Sequence, residues 1–76
     1  MPQAQEAVFE ALRWLMQRKQ IEAEITLGAA VIDDLGLDSL DVAELSAILE
    51  DNLGKDPYNE GLNPRTVGEI IDWYKA

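Results

Sequence analysis

The chain has 76 residues, no cysteine, no histidine and a formal net charge of −9. A chain this short makes one small domain, residues 1–76, and leaves little room for a large enzyme cleft. The missing residue types exclude a disulfide framework, a Ser-His-Asp triad, a Cys-His dyad and a Cys/His zinc site.

The charge is unevenly placed. From Ile21 to Gly54 there is no Lys or Arg, and that stretch holds nine acids, whereas the other six acids are matched by six basic residues. The whole net charge therefore sits in the middle of the chain. Such a field repels nucleic acid and steers a partner that carries a basic patch. The plain alternative is a solvated acidic surface that aids solubility. No apolar stretch approaches the ~20 residues a membrane helix needs. Met1–Glu10 lacks the basic start and apolar run of a signal peptide. The expectation is a soluble, cytoplasmic, monomeric protein.

Hydrophobic spacing predicts a first helix from about Gln3 to Gln20, with Val8, Leu12, Leu15 and Met16 as its inner stripe. Arg18 and Lys19 close its last turn, where cations suit the helix dipole. Phe9 and Trp14 lie off the stripe. A long connection follows, from Ile21 to Leu37. Its residues Ile25, Leu27, Val31, Ile32 and Leu35 are apolar, so it is expected to lie across the bundle with these side chains inserted. Loops of this length are often functional.

A second helix is expected from Asp38 or Ser39 to Leu53–Gly54. Asp38 is a good N-cap, Asp41 gives an acidic variant of the capping box, and Gly54 suits the C′ position. Val42, Leu45, Leu49 and Leu53 form its inner stripe, and Asp41, Glu44 and Asp51 are spaced to share an exposed face. Between Lys55 and Pro64, at most one short helical turn fits, around Tyr58–Leu62. Thr66 and Glu69 then make a capping box for a last helix whose inner face is Val67, Ile70, Ile71 and Tyr74. The fold class is all-α: a bundle of three main helices and one short one, with a long first connection.

Chemistry concentrates at Leu35-Gly36-Leu37-Asp38-Ser39-Leu40-Asp41. Ser39 falls at the start of the second helix, where unpaired backbone N–H groups and the dipole favour negative charge. A phosphate on its hydroxyl is well placed there, although Asp38 and Asp41 oppose it. Ser39 has no base to activate it as a nucleophile: the chain has no histidine, no lysine is near in sequence, and there is no G-x-S-x-G elbow. A serine that cannot activate itself can still be modified by another enzyme. The bland reading of Asp38-Ser39 is a helix cap and nothing more.

The surroundings favour the functional reading. The run Ala29-Ala30-Val31-Ile32-Asp33-Asp34-Leu35-Gly36-Leu37-Asp38-Ser39-Leu40-Asp41-Val42-Ala43-Glu44-Leu45 resembles the signature of the acyl carrier protein family. Pro64-Arg65-Thr66-Val67-Gly68-Glu69-Ile70 resembles that family's Thr-Val-Gly lead into the final helix. The resemblance spans nearly the whole chain. It implies that Ser39, flanked by Asp38, receives 4′-phosphopantetheine from CoA through a phosphopantetheinyl transferase. Acyl groups then ride as thioesters on a thiol that a cysteine-free chain lacks. The protein contributes presentation and no catalytic group.

By the same resemblance the second helix docks to acyl-loading and acyl-processing enzymes. Asp38, Asp41, Glu44 and Asp51 would meet basic patches, and Leu40, Ala43 and Ala47 would supply apolar contact. A cavity for the acyl chain would lie in the bundle, lined by Leu45, Leu49 and Ile71. Three departures from the family pattern point from the housekeeping fatty-acid carrier toward polyketide, peptide or another specialised pathway. They are the stretch Gly54-Lys55-Asp56-Pro57-Tyr58-Asn59-Glu60-Gly61, the small Ala43 and Ala47, and Trp14 in the first helix.

Three other readings stay open at this stage. An aminoacyl, peptidyl or D-alanyl carrier would use the same serine, and loading by adenylating enzymes would reveal it. A calcium-binding loop could run from Asp33 to Glu44 at positions 1 and 12, but Leu35 and Leu37 occupy positions 3 and 5. An unmodified adaptor would use the acidic helix for docking and leave Ser39 bare.

Overall fold

The computed structural model describes residues 2–75. Among them three α-helices form: α1 (Pro2–Arg18), α2 (Ser39–Leu53) and α3 (Val67–Lys75). Val8, Ala11, Leu12, Leu15 and Met16 of α1 meet Leu45 and Leu49 of α2 and Val67, Ile70 and Ile71 of α3 in one core. Each fully buried leucine or isoleucine there contributes ~1.5–3 kcal/mol of burial free energy. α2 and α3 each pack closely against α1, not against one another, among the described residues.

α1 stops earlier than its spacing predicts, and the reason is local. The Gln20 N–H donates to the Gln17 carbonyl at 3.1 Å and the Ile21 N–H to the Met16 carbonyl at 2.8 Å. This is a Schellman termination. Gln20 occupies its left-handed position at φ 60°, where glycine is the usual residue. Phe9 packs at the core margin. Trp14 is half-exposed, with the Arg18 guanidinium 4.7 Å from its ring centre.

α2 begins and ends as the sequence indicates. Asp38 Oδ1 accepts the Asp41 N–H at 2.9 Å, and Asp41 Oδ2 accepts the Asp38 N–H at 3.0 Å. Gly54, at φ 82°, closes the helix by donating to the Glu50 carbonyl. α3 opens on the expected Thr66–Glu69 capping box: Thr66 Oγ1 accepts the Glu69 N–H at 3.1 Å, and Glu69 Oε1 accepts the Thr66 N–H at 3.4 Å and the Arg65 N–H at 2.7 Å.

The short helix expected near Tyr58–Leu62 is present only as overlapping turns over residues 57–61. Glu60 and Gly61 donate to the carbonyls three residues back, and Leu62 then reaches back to Pro57. Gly61 at φ 84° ends the run before a helix is established. Asp56 caps these turns from a buried position, where its Oδ1 accepts the Asn59 N–H and the Ser46 hydroxyl.

The long connection is only partly inserted. Val31, Leu35 and Leu37 are buried and Ile25 is half-buried, but Leu27 and Ile32 are about half-exposed. Two attachments to the start of α3 explain this. The Val31 N–H donates to the Arg65 carbonyl at 2.8 Å, and the Gly68 N–H donates to the Leu27 carbonyl at 2.7 Å. The second contact presents the Leu27 backbone to α3. A Cβ on Gly68 would lie 2.9 Å from that carbonyl oxygen. Ala30 and Thr66 complete the seam with an isolated antiparallel bridge.

Candidate functional site

Ser39 is the first residue of α2 and is exposed. Its position is fixed from both sides. The Asp38–Asp41 capping box holds the backbone immediately before it, and four successive hydrogen bonds compact the preceding turn. Those bonds run from Asp34 and Leu35 to Ala30, from Gly36 to Ile32, and from Leu37 to Val31. The serine therefore projects from a rigid junction of loop and helix rather than from a mobile tip.

Beside Ser39 lies a cleft of about 340 Å³. One wall is the 30–33 turn, one is Val42 of α2, and the third is Tyr58 with the 63–65 segment. Val31, Val42, Tyr58 and Pro64 make it largely apolar, and Asp33, Asn63 and Arg65 add polar groups. The Tyr58 hydroxyl donates to the Pro64 carbonyl at 3.2 Å, which braces the far wall. Burial, then the nearby carboxylates of Asp56 and Glu69, push the Tyr58 phenol up to about 12. It remains a neutral donor at neutral pH.

The cavity expected at Leu45, Leu49 and Ile71 is not found there. Leu45 and Leu49 are fully buried, Ile71 nearly so, and all three belong to the continuous core. They pack there with the inner face of α1, and none of the three lines the cleft at Ser39.

The acidic face also differs from its expected form. Asp41 is buried, at 5% exposure, because the capping box turns its carboxylate back along the chain and Lys19 closes over it. Lys19 Nζ lies 2.5 Å from Asp41 Oδ2 and 3.5 Å from Asp38 Oδ2. Lys19, then the Asp38 N–H, hold the Asp41 carboxyl below the ordinary aspartate range, and Asp41 in turn raises the Lys19 ammonium. Glu44 is paired with Arg18, which lowers its carboxyl in the same way. That pairing also engages the twelfth position of the calcium-loop alternative. Asp38 keeps most of its side chain in solvent, and Asp51 is exposed.

The apolar row keeps its expected place. Leu40 is 76% exposed, with Ala43 and Ala47 exposed one and two turns on. A leucine this open at the head of a helix has no role in the core.

Sequence reasoning put Asp38, Ser39 and Leu40 at the start of the second helix, where the structure has them, but it did not bring Arg18, Lys19, Tyr58 or Arg65 to this region. One signal was available for the first two. They are the last cations before the cation-free stretch that begins at Ile21, so the acids of that stretch have them as cationic partners on its N-terminal side, although the sequence does not say which acids pair. No local signal marks Tyr58 or Arg65.

The site fits a phosphodiester-linked arm. It offers an accessible hydroxyl at a helix start, where anions are favoured, and an adjoining cleft that is apolar with a few polar groups. The chain has no cysteine of its own, and the arm supplies the thiol chemistry when bound. Comparison with known proteins agrees. The family described as "Phosphopantetheine attachment site" matches residues 16–74. Acyl carrier proteins from Clostridium perfringens strains SM101, ATCC 13124 and 13 are each 42% identical over 53 residues, which cover 68% of this chain and 70% of theirs. The chain belongs to the acyl carrier protein family, whose members bear a phosphopantetheine prosthetic group and serve biosynthetic enzymes as carriers rather than as catalysts.

Proposed function

We propose that Ser39 is the attachment point and that the protein presents acyl thioesters to enzymes of fatty-acid, polyketide or another specialised biosynthesis in the cytoplasm. The observation that carries this reading is the exposed Ser39 hydroxyl at the first residue of α2, held by the Asp38–Asp41 box on the rim of a cleft. A transferase needs such access, and the tethered cargo needs a fixed anchor. Tethering then replaces diffusion of free substrate with a high local concentration at each partner's active site.

Docking uses the outward row of α2: Leu40, Ala43 and Ala47 as the apolar strip, with Asp38, Glu44 and Asp51 around it. Asp41 supports this face from beneath and does not itself meet the partner. Charges at the rim of an interface speed association more than they tighten binding, as suits a carrier that must leave each enzyme it visits.

Intact mass spectrometry after incubation with CoA and a broad-specificity phosphopantetheinyl transferase tests the assignment. The chain gains one phosphopantetheine unit and Ser39→Ala gains none. An unmodified wild-type chain, or a Ser39→Ala variant that is still modified, would overturn it.

A further inference from the structure

We infer that Arg65 is a positioning residue for the prosthetic arm, holding its phosphodiester against the cleft wall; this rests on attachment at Ser39. A phosphodiester at that serine places an anion among acids. Asp38 adjoins it in sequence with most of its side chain in solvent, and Asp33 lines the same cleft. The helix start offsets part of this repulsion. Lys19, the cation nearest the capping box, is already held by Asp41 and Asp38. Arg65 is the cation that lines the cleft with Ser39, and among the described residues no carboxylate lies within ion-pair distance of its guanidinium.

The backbone at Arg65 is anchored on both sides. Its N–H donates to Glu69 Oε1 at 2.7 Å, and its carbonyl accepts the Val31 N–H at 2.8 Å. Pro64 before it accepts the Tyr58 hydroxyl. The side chain thus springs from a fixed point on the cleft that it lines with the serine, so little ordering entropy is lost at the backbone when it engages an anion. The planar guanidinium matches two oxygens of one phosphate, as a lysine ammonium does not. With the phosphate held at this wall, the arm starts along the apolar cleft rather than into solvent over Leu40.

Side-chain NMR of the arginine Nε–H groups, before and after the transferase reaction, tests this on the full chain. The Arg65 resonance should move on modification, and the exposed Arg13 should serve as an unmoved reference. Phosphorus NMR of the modified chain should show a displaced phosphodiester signal in Arg65→Gln, an intermediate one in Arg65→Lys and an unchanged one in Arg13→Gln. An Arg65 resonance that stays put while mass spectrometry shows the arm in place overturns the inference and leaves the attachment intact. So does a response that arises only when a dicarboxylic acyl group is loaded. A chain that takes up no arm at Ser39 overturns both.

Discussion

Lys19, just beyond α1, places its ammonium 2.5 Å from the buried carboxylate of Asp41, in the first turn of α2. The two residues are separated by 22 positions in sequence, yet this pair holds the turn on which Ser39 sits. Asp41 is thereby a structural acid: its Oδ2 both accepts the Asp38 N–H that completes the cap and binds a cation from another element.

Acid should loosen this turn. A carboxyl held below its ordinary value favours the fold fully above the unfolded aspartate value of ~3.9, and the contribution is lost as pH falls through the lower, folded value. Urea unfolding at neutrality and just below that ordinary value should show a drop in stability in the wild type. Lys19→Met should be less stable at neutrality and show a smaller drop on acidification. An equal drop in both proteins would remove Lys19 as the cause.

Arg18 masks Glu44. In Arg18→Gln the carboxylate is released to the outward row of α2, and association with a basic-patched partner enzyme should quicken several-fold at low salt. The gain should vanish near 1 M salt, where screening acts within ~3 Å. Arg13→Gln changes net charge equally without freeing Glu44, so stopped-flow rates for the two variants separate unmasking from general steering. Equal acceleration in both would refute the masking role.

Leu40 separates docking from folding. Because its side chain is largely in solvent, Leu40→Asp should leave stability within about 0.5 kcal/mol of wild type. Affinity for a partner enzyme should fall at least fivefold, or about 1 kcal/mol. Thermal unfolding and titration calorimetry measure the two quantities. Undiminished affinity would mean that the row is not a contact surface.

Gln20 should be improvable. Its left-handed backbone disfavours a residue with a Cβ, and glycine removes that penalty at some cost in chain entropy. Gln20→Gly should gain about 1 kcal/mol, or ~4–8 °C in Tm for a domain of this size. A loss of stability would show that the Gln20 side chain makes a compensating contact.

The parts of this fold that could be read in the sequence are those decided within a few residues. The Asp38–Asp41 and Thr66–Glu69 boxes and the Gly54 terminus depend on neighbours three or four positions away, and each falls where its residues indicate. Ser39 was legible because its neighbours form a long family-like run. The misplacements arise where distant segments meet. Burial of Asp41 requires Lys19, the exposure of Leu27 and Ile32 follows from the attachments of the connection to the start of α3, and the early end of α1 reflects a glycine-like turn written with glutamine. Residues 57–61 lack any apolar period long enough to declare a helix, and Gly61 cuts them short.

α1 serves both shorter helices as a common spine, and they rest on it like the covers of a book. Because neither cover leans closely on the other, the α1 face beneath them carries both, and a cavity cut there, as in Leu12→Ala, should loosen the two together.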